Sequence, residues 1–442
     1  MLMKVLIYSH SFAPRIGGVE TYVMLLAQGL AHLNGVPGAH PMEVTVTTPT
    51  PQGAIPDGAL PFRVVRRPSL LALTGLVRKA DVIHVAGPCL LPMLLGLALR
   101  KLVVVEHHGY QAVCPNGLLL YEPTKKVCPG HFMVRQYHKC LQCNAATMGW
   151  AKSALELLLA FPRRWACKRA ALNVAISRHV DGRVRLPRSA VIYYGIHDPL
   201  DGKTSVAGGT PMAPRCSEHA LAVSAQGRDS DRSRQAALAG PSWSQPSTET
   251  TVTFAYVGRL VSEKGLPLLV EAARRLDAEG YSFRLMFVGD GPERSRLEEQ
   301  VDALGLHLRV RFTGYLQGEA LASALDGVSA VVMPSIWEET AGLSAIEHMM
   351  RGRVVIASDI GGLGEVVDGA GLKFTAGDAV GLTSCLQCVL EDPQRVELLG
   401  MKARERALRL FSLPRMIREH LALYRELQGE SGGSPVFVRE EG

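Results

Sequence analysis

The stretch MPSIWEETAGLSAIEHMMRGRVVIASDIGGLGEVV, Met333 to Val367, decides the fold. The apolar run Ala330–Met333 reads as a buried strand and stops at Pro334-Ser335. A loop with Glu338 and Glu339 follows, then a helix from about Leu343 and a second strand over Val354–Ala357. Strand, loop, helix and strand in this order build a parallel sheet. Such sheets bind ligands in the loops that leave the carboxyl ends of their strands. Seven residues separate Glu339, at the mouth of the loop, from Glu347, about one turn into the helix. Both carboxylates could take charge-assisted hydrogen bonds from ligand hydroxyls. A second reading stands beside this one. Ser344-Ala-Ile-Glu347 fits a capping box, which would make Glu347 purely structural.

Working outward, 442 residues suit two domains of ordinary size, and 47% apolar with 20% charged residues describes a globular chain with ample core. No apolar run reaches the ~18–20 residues of a membrane span. The start, MLMKVLIYSHSF, reads as a first strand and is too short for a signal peptide, so a cytoplasmic location is expected. Nine cysteines in that setting argue against a disulfide framework. Charge is unevenly spread. Residues 1–200 hold 22 Lys/Arg against 9 Asp/Glu, whereas residues 251–442 hold 21 against 27. A basic first half fits an anionic partner such as a membrane surface or a lipid phosphate. Nucleic acid would suit the charge, but no nucleic-acid motif is present.

Met3–Tyr8 is a predicted strand, followed by a loop with Gly17-Gly18 and a helix from Val19 to about Leu33 that Asn34-Gly35 would stop. A glycine turn ahead of a helix lets backbone N–H groups approach a phosphate. Strands are expected at Val44–Thr47, Val82–Val85, Val103–Glu106, Leu172–Ser177 and Val191–Tyr194. Trp150–Arg169 reads as a basic amphipathic helix, suited either to a membrane surface or to a solvated face. Residues 201–250 are rich in Gly, Ala, Ser, Pro and Gln without hydrophobic period, and read as a disordered linker insertion in which Asp229-Ser-Asp231 is a chance metal motif. A second domain opens with the strand at Thr251. Arg259 and Lys264, on a loop ahead of a helix, make a diphosphate site: guanidinium fork, point charge and helix-end N–H donors. Further strands at Phe283–Val288 and Arg309–Phe312 and a last helix over Pro414–Leu427 precede a tail.

Taken together, the pattern P-S-x-x-E-E-x-x-G-L-x-x-x-E followed by G-x-V-V-I-A-S-D-x-G-G-x-x-E resembles the donor-site signature of the retaining glycosyltransferases of family four. The match of G-R-L-x-x-x-K-G at 258–265 points the same way. The resemblance implies an α/β fold of GT-B type, two Rossmann-like domains facing across a cleft: residues 1–198 on the acceptor side, 251–427 on the donor side with a crossover helix, and 428–442 as a tail. It implies a nucleotide diphosphate-sugar donor held by Gly17, Gly18, Arg259, Lys264, Gly314, Glu339, Gly342, Leu343 and Glu347, with Glu339 on the sugar and Glu347 on the ribose. Arg259 and Lys264 would stabilise the leaving diphosphate, so that catalysis needs no cofactor. Glu20 matches the acceptor-facing G-G-x-E, and H-G-Y-Q-A-V-C-P places His108 as the catalytic-pocket histidine, with His107 as its rival. The implied acceptor is a lipid-linked, polysaccharide or small-molecule hydroxyl, with peripheral contact to the inner face of a membrane.

Departures from the pattern are Gly109 for an acidic residue, Tyr194 for Asn, Ala341 for Phe, His348 for a small residue and Arg353 for Pro. Ala341 and His348 could reshape the sugar pocket, so the sugar is not carried over. Two other classes stay open: a non-transferring enzyme of this fold, such as a nucleotide-sugar epimerase, and a nucleotide-sugar-binding protein with a decayed pocket. Cys114, Cys128, Cys140 and Cys143 have the count and type of a structural zinc site within the insertion 114–143, with buried free thiols or a redox pair as alternatives.

Overall fold

The computed structural model describes residues 2–15, 17–33, 41–53, 56–201 and 251–429. The expected helix stop at Asn34-Gly35, residues 202–250 of the linker with its Asp229-Ser-Asp231, and residues 430–442 lie outside the described residues.

The first half alternates β1 (Met3–Ser9), α1 (Gly18–His32), β2 (Met42–Thr48), β3 (Arg63–Arg66), α2 (Leu70–Lys79), β4 (Val82–Ala86), α3 (Leu90–Ala98) and β5 (Leu102–His107). A short hairpin of β6 (Leu120–Tyr121) and β7 (Lys126–Val127) interrupts the alternation. It resumes with α4 (Tyr137–Met148), α5 (Trp150–Arg169), β8 (Leu172–Ala175), α6 (Arg178–Val184) and β9 (Ser189–Val191). The strands form one sheet in the order β3-β2-β1-β4-β5-β8-β9, parallel throughout. Every residue of β4 is buried, as suits a strand covered on both faces.

The second half runs β10 (Val252–Val257), α7 (Leu266–Ala278), β11 (Phe283–Val288), α8 (Arg294–Ala303), β12 (Val310–Gly314), α9 (Gly318–Ala324), β13 (Ala330–Met333), α10 (Leu343–Met350), β14 (Val354–Ser358), α11 (Gly361–Val367), β15 (Leu372–Phe374), α12 (Ala379–Glu391), α13 (Pro393–Leu410) and α14 (Leu413–Leu427). Its sheet, β12-β11-β10-β13-β14-β15, is also all parallel. Strand order reverses between β1 and β4 in one sheet and between β10 and β13 in the other. Those reversals open the crevices in which doubly wound sheets hold ligands.

The sequence places the last strand of the first half at Val191–Tyr194, whereas β9 ends at Val191. The two tyrosines leave the sheet because each has a partner elsewhere: the Tyr193 carbonyl accepts from Arg415, and the Tyr194 hydroxyl meets His108. The chain crosses back to the first domain in α14. Ile196 pairs with Phe411 and Leu413 through two backbone bonds of 2.9 Å, and Arg404 grips Asp198 with two guanidinium nitrogens. Helix α14 then lies against α1, where Gly29 leaves room for it: a Cβ at Gly29 would sit 2.4 Å from Ile417 Cδ1.

Candidate active site

The donor-side loops pack backbone to backbone. A Cβ at Gly265 would lie 2.1 Å from the Pro334 carbonyl, and one at Gly362 would lie 2.1 Å from that of Thr340. Gly265 also has φ +64, a left-handed conformation that costs glycine nothing. The first contact brings the loop after β10 against the loop after β13, which is why Lys264 and Glu339, 75 residues apart, form an ion pair of 2.8 Å, and the second seats the start of α11 against that same loop. Ser335 Oγ donates to the same Glu339 carboxylate. Glu339 is buried, so pairing and hydrogen bonding together offset the cost of its charge. Arg259 differs. Its guanidinium is 77% exposed and its ion-pair contact is Glu263 at 3.9 Å, while its carbonyl is fixed by the Tyr256 hydroxyl at 2.7 Å. A fixed backbone carrying a largely exposed cation is an apt receptor for a diphosphate.

Glu347 lies on the first turns of α10 with its side chain exposed, and among the described residues no hydrogen bond or ion pair engages its carboxylate. The capping box is absent: Gly342 occupies the N-cap position with φ +63, and the Ser344 hydroxyl donates across to the Val257 carbonyl at 3.4 Å. Gly342 and Leu343 thus open the helix where the sequence places it. Gly314, at the end of β12, accepts from Gly289 N–H at 2.8 Å and holds the two neighbouring loops together. Ala341 and His348 are buried, at 3% and 4% exposure. Since Glu347 caps nothing, Glu347→Gln should leave the melting temperature nearly unchanged and weaken binding of a bare nucleoside diphosphate. Calorimetric titration beside a thermal melt checks this; a lowered melting temperature with unaltered nucleotide affinity would restore the structural role.

On the first-domain side, Ser11 Oγ donates to Glu20, and a Cβ at Gly17 would fall 2.4 Å from Glu20 Oε2, so glycine and carboxylate occupy one corner at the start of α1. Gly18 has open space around it. The two histidines that end β5 separate cleanly. His107 is buried and its Nε2 meets Asn173 Oδ1 at 3.0 Å. His108 stacks on Tyr194, with Nδ1 2.9 Å from the hydroxyl, and meets the edge of Tyr22 at a centroid distance of 4.7 Å. Its Nε2 is buried without a partner. Burial pushes the His108 pKa down to about 4, so the ring is neutral at physiological pH. Tyr194, a departure from the family pattern, is therefore what orients His108.

The domains meet at residues that sequence reasoning missed. Glu365 of α11 accepts from the Arg178 and His179 backbone N–H groups at 3.0 Å each, and from the Tyr193 hydroxyl. The Tyr110 hydroxyl donates to the Glu338 carbonyl, and Arg183 Nε lies 3.0 Å from Glu338 Oε2. Arg183 also donates to the Cys128 carbonyl, which ties the cysteine segment to the donor loop. Glu365 closes the quoted G-G-x-x-E, so the motif could have flagged it. All four cysteines, Cys114, Cys128, Cys140 and Cys143, are buried and reduced. Asn116 links two of them, accepting from Cys114 Sγ and donating to Cys143 Sγ. Burial, with the other three thiols nearby, pushes Cys140 up to about 12.

Residues 242–406 match the family model of glycosyl transferases group 1. Over these residues the chain is similar to the group 1 glycosyl transferases. Among its relatives are the alpha-D-kanosaminyltransferase of Streptomyces kanamyceticus, 31% identical over 174 residues, 39% of this chain and 45% of the relative. The 2-deoxystreptamine N-acetyl-D-glucosaminyltransferase of Streptomyces fradiae is 38% identical over 144 residues, 32% of this chain and 34% of the relative. The chain thus spans less than half the length of these curated relatives. Solved structures match over nearly the whole chain. The sucrose-phosphate synthase of Thermosynechococcus elongatus has a TM-score of 0.62 at 22% identity, covering 97% of this chain and 100% of the other. HepE of Anabaena, solved with UDP and glucose, has 0.59 at 18% identity, covering 96% and 100%. At that identity they show the fold alone: two Rossmann-like domains of the GT-B type.

Proposed function

We propose that the protein transfers a glycosyl group, with retention, from a nucleoside diphosphate-sugar to an acceptor hydroxyl held by the first domain. The observation that carries this reading is the site built by the loops after β10 and β13: a Lys264–Glu339 pair and a largely exposed Arg259 on adjoining loops, beside Glu347, whose carboxylate has no hydrogen bond or ion pair among the described residues. Anabaena HepE, of the same fold, was solved with UDP-glucose. In this chain Arg259 and Lys264 meet the charge that develops on the leaving diphosphate, and that diphosphate takes the acceptor proton on the same face of the sugar. Glu339 orients the sugar hydroxyls and Glu347 the ribose. Neutral His108 presents Nε2 as a hydrogen-bonding group for sugar or acceptor. The test is a thermal-shift panel of nucleotide sugars followed by donor turnover with and without acceptors. Stabilisation by one nucleoside diphosphate series and acceptor-dependent turnover are expected. Turnover of the donor to an epimer without acceptor would replace transfer with epimerisation, and binding without any turnover would leave a binding protein.

The acceptor we propose is lipid-linked, at an anionic membrane surface. Helix α5 exposes Trp150 (65%), Leu158 (66%), Phe161 (44%) and Trp165 (49%), with Leu155 beside them and Lys152, Lys168 and Arg169 along the same helix. An exposed apolar stripe with flanking cations is the pattern of an interfacial helix. Among the described residues no helix is long and apolar enough to cross a membrane. Trp150→Ser with Phe161→Ser and Trp165→Ser should reduce co-sedimentation with anionic vesicles by about tenfold or more while sparing donor binding, since each buried CH₂ contributes ~0.8 kcal/mol. Unchanged vesicle binding in that variant removes the membrane face. The cysteine segment we read as a lid on the acceptor side; a zinc clip by Cys114, Cys128, Cys140 and Cys143 requires their thiols to draw together, because among the described residues no three of them have donor atoms within 4.8 Å of one another.

A further inference from the structure

Three ionisable side chains that the proposed reaction does not use meet in the core of the first domain. His84 of β4, Glu106 of β5 and His420 of α14 are each fully buried, and among the described residues theirs is the group whose donor atoms all lie within 4.8 Å of one another. The orientation of the rings is informative. His420 Nδ1 is 2.8 Å from the Met416 carbonyl, and His84 Nδ1 is 2.8 Å from the Tyr424 hydroxyl. Both rings are therefore anchored by Nδ1 to an oxygen, and both turn Nε2 toward Glu106. That is the arrangement in which metal-binding histidines are held. His84 Nε2 lies 2.8 Å and His420 Nε2 3.8 Å from Glu106 Oε2. Yet neither His84 Nε2 nor either Glu106 oxygen makes a hydrogen bond of acceptable geometry. Nitrogen and oxygen are adjacent but do not point along the line that joins them, as when both face a third atom. Tetrahedral bonds of about 2.0–2.1 Å separate ligand atoms by about 3.4 Å, between the two spacings seen here. His420 Nε2, unlike the other donor atoms, has a partner here: it accepts from the Tyr22 hydroxyl at 2.9 Å, a bond that a metal would displace, leaving that hydroxyl placed for a fourth position or for a ligand atom.

We propose that His84, Glu106 and His420 bind a divalent transition-metal ion, zinc by donor type, that fastens the last helix of the chain to the first domain. Two imidazoles and one carboxylate suit zinc and its neighbours and are too nitrogen-rich for magnesium or calcium. The site is closed to solvent, so its role is structural. Its consequence is positional: α14 follows the second domain in sequence but docks on the first, and Tyr22 joins the site to His108. Fixing α14 fixes how the two halves of the active site face each other.

The experiment uses the full chain purified without chelator, as wild type and as the Cys140→Ser, Cys143→Ser variant, which removes half of the separate thiol set. Metal analysis and X-ray absorption at the metal edge are the readouts. About one equivalent should remain in the cysteine variant, with nitrogen and oxygen neighbours at about 2.0–2.2 Å, and should fall severalfold in His420→Gln and in the volume-conserving Glu106→Gln. Should any variant fail to fold, the wild type decides: its spectrum must require a nitrogen-and-oxygen shell beyond any sulfur shell at about 2.3 Å. Wild-type protein with no metal, a spectrum accounted for by sulfur alone, or metal content unmoved by folded His420→Gln overturns the proposal and leaves a protonated histidine as the counter-charge of Glu106.

Discussion

Arg259→Ala and Lys264→Ala should each lower turnover by about 10²–10³, the cost of losing a donor aimed at transition-state charge. The two substitutions differ in what else they do. Arg259 is largely exposed and touches Glu263 at the edge of ion-pair range, so its removal should leave the melting temperature unchanged. Lys264 is different, because Glu339 is buried and pairs with it at 2.8 Å. Without the ammonium, the carboxylate keeps the Ser335 hydroxyl as its partner in a poorly solvated site. Lys264→Ala should therefore cost stability as well, about 1–3 kcal/mol, and Glu339 would no longer be held where the sugar must sit. Turnover at saturating donor, read beside a denaturant melt, separates the effects. Near-normal rates in both folded variants would reject the assigned roles. Loss of rate in Lys264→Ala alone would assign the work to Glu339 placement rather than to charge on the diphosphate.

Much of this site is legible in the sequence because its parts are local. The loop after β13 carries its own glutamates and its own helix start, and Ala330–Met333 and Phe283–Val288 are strands as the apolar runs predict. Helix α5 spans Trp150–Arg169 as its pattern requires. What local pattern cannot show is which side chain a residue meets far along the chain. Ser344 illustrates the limit: its spacing to Glu347 satisfies a capping box, but the end of β10 offers its hydroxyl a carbonyl from another strand. The His107/His108 pair shows it again. Only the neighbours distinguish them, an asparagine from β8 for one and Tyr194 for the other.

The least legible residues are those that join the domains. Glu365 meets backbone N–H groups 187 and 186 residues away, and Arg404 meets Asp198 across 206. Arg404 looks, in its own stretch, like an ordinary charge on a helix, and Glu365 stands out only as the last residue of its G-G-x-x-E motif. Helix α14 completes the crossing, and its buried face carries His420 and Tyr424 as well as Met416, Ile417 and Leu423. A helix with polar rings on its buried side is a sign that another polar group awaits it, since buried polar atoms need partners. Here the partners lie on β4 and β5, at the opposite end of the chain.

His348 should make the protein sensitive to acid. It is 4% exposed on α10, and neither ring nitrogen has a hydrogen-bond partner. Burial, with Arg353 and Arg351 adding repulsion, pushes its pKa down to about 3. The unfolded chain takes up this proton near pH 6.5, whereas the folded chain refuses it until about pH 3. The unfolded state therefore binds more protons across that window. Stability is at its full value above the window, falls as the pH drops through it, and levels off below about pH 3. At pH 5 the loss from this one ring amounts to about 2 kcal/mol, a sizeable share of a total that is commonly ~5–15 kcal/mol. His107 and His108 are depressed by burial too, so the wild type carries their slope as well. Replacing His348 with leucine, which has a similar volume, isolates its part. His348→Leu should gain about 1–3 kcal/mol at pH 7 by removing an unpartnered buried N–H. Its additional advantage at pH 5 should be about 2 kcal/mol more. Urea melts of both proteins at pH 7 and pH 5 give the comparison directly. Equal losses in wild type and variant would mean that His348 finds a partner in solution and that the acid sensitivity belongs to the histidines of the first domain.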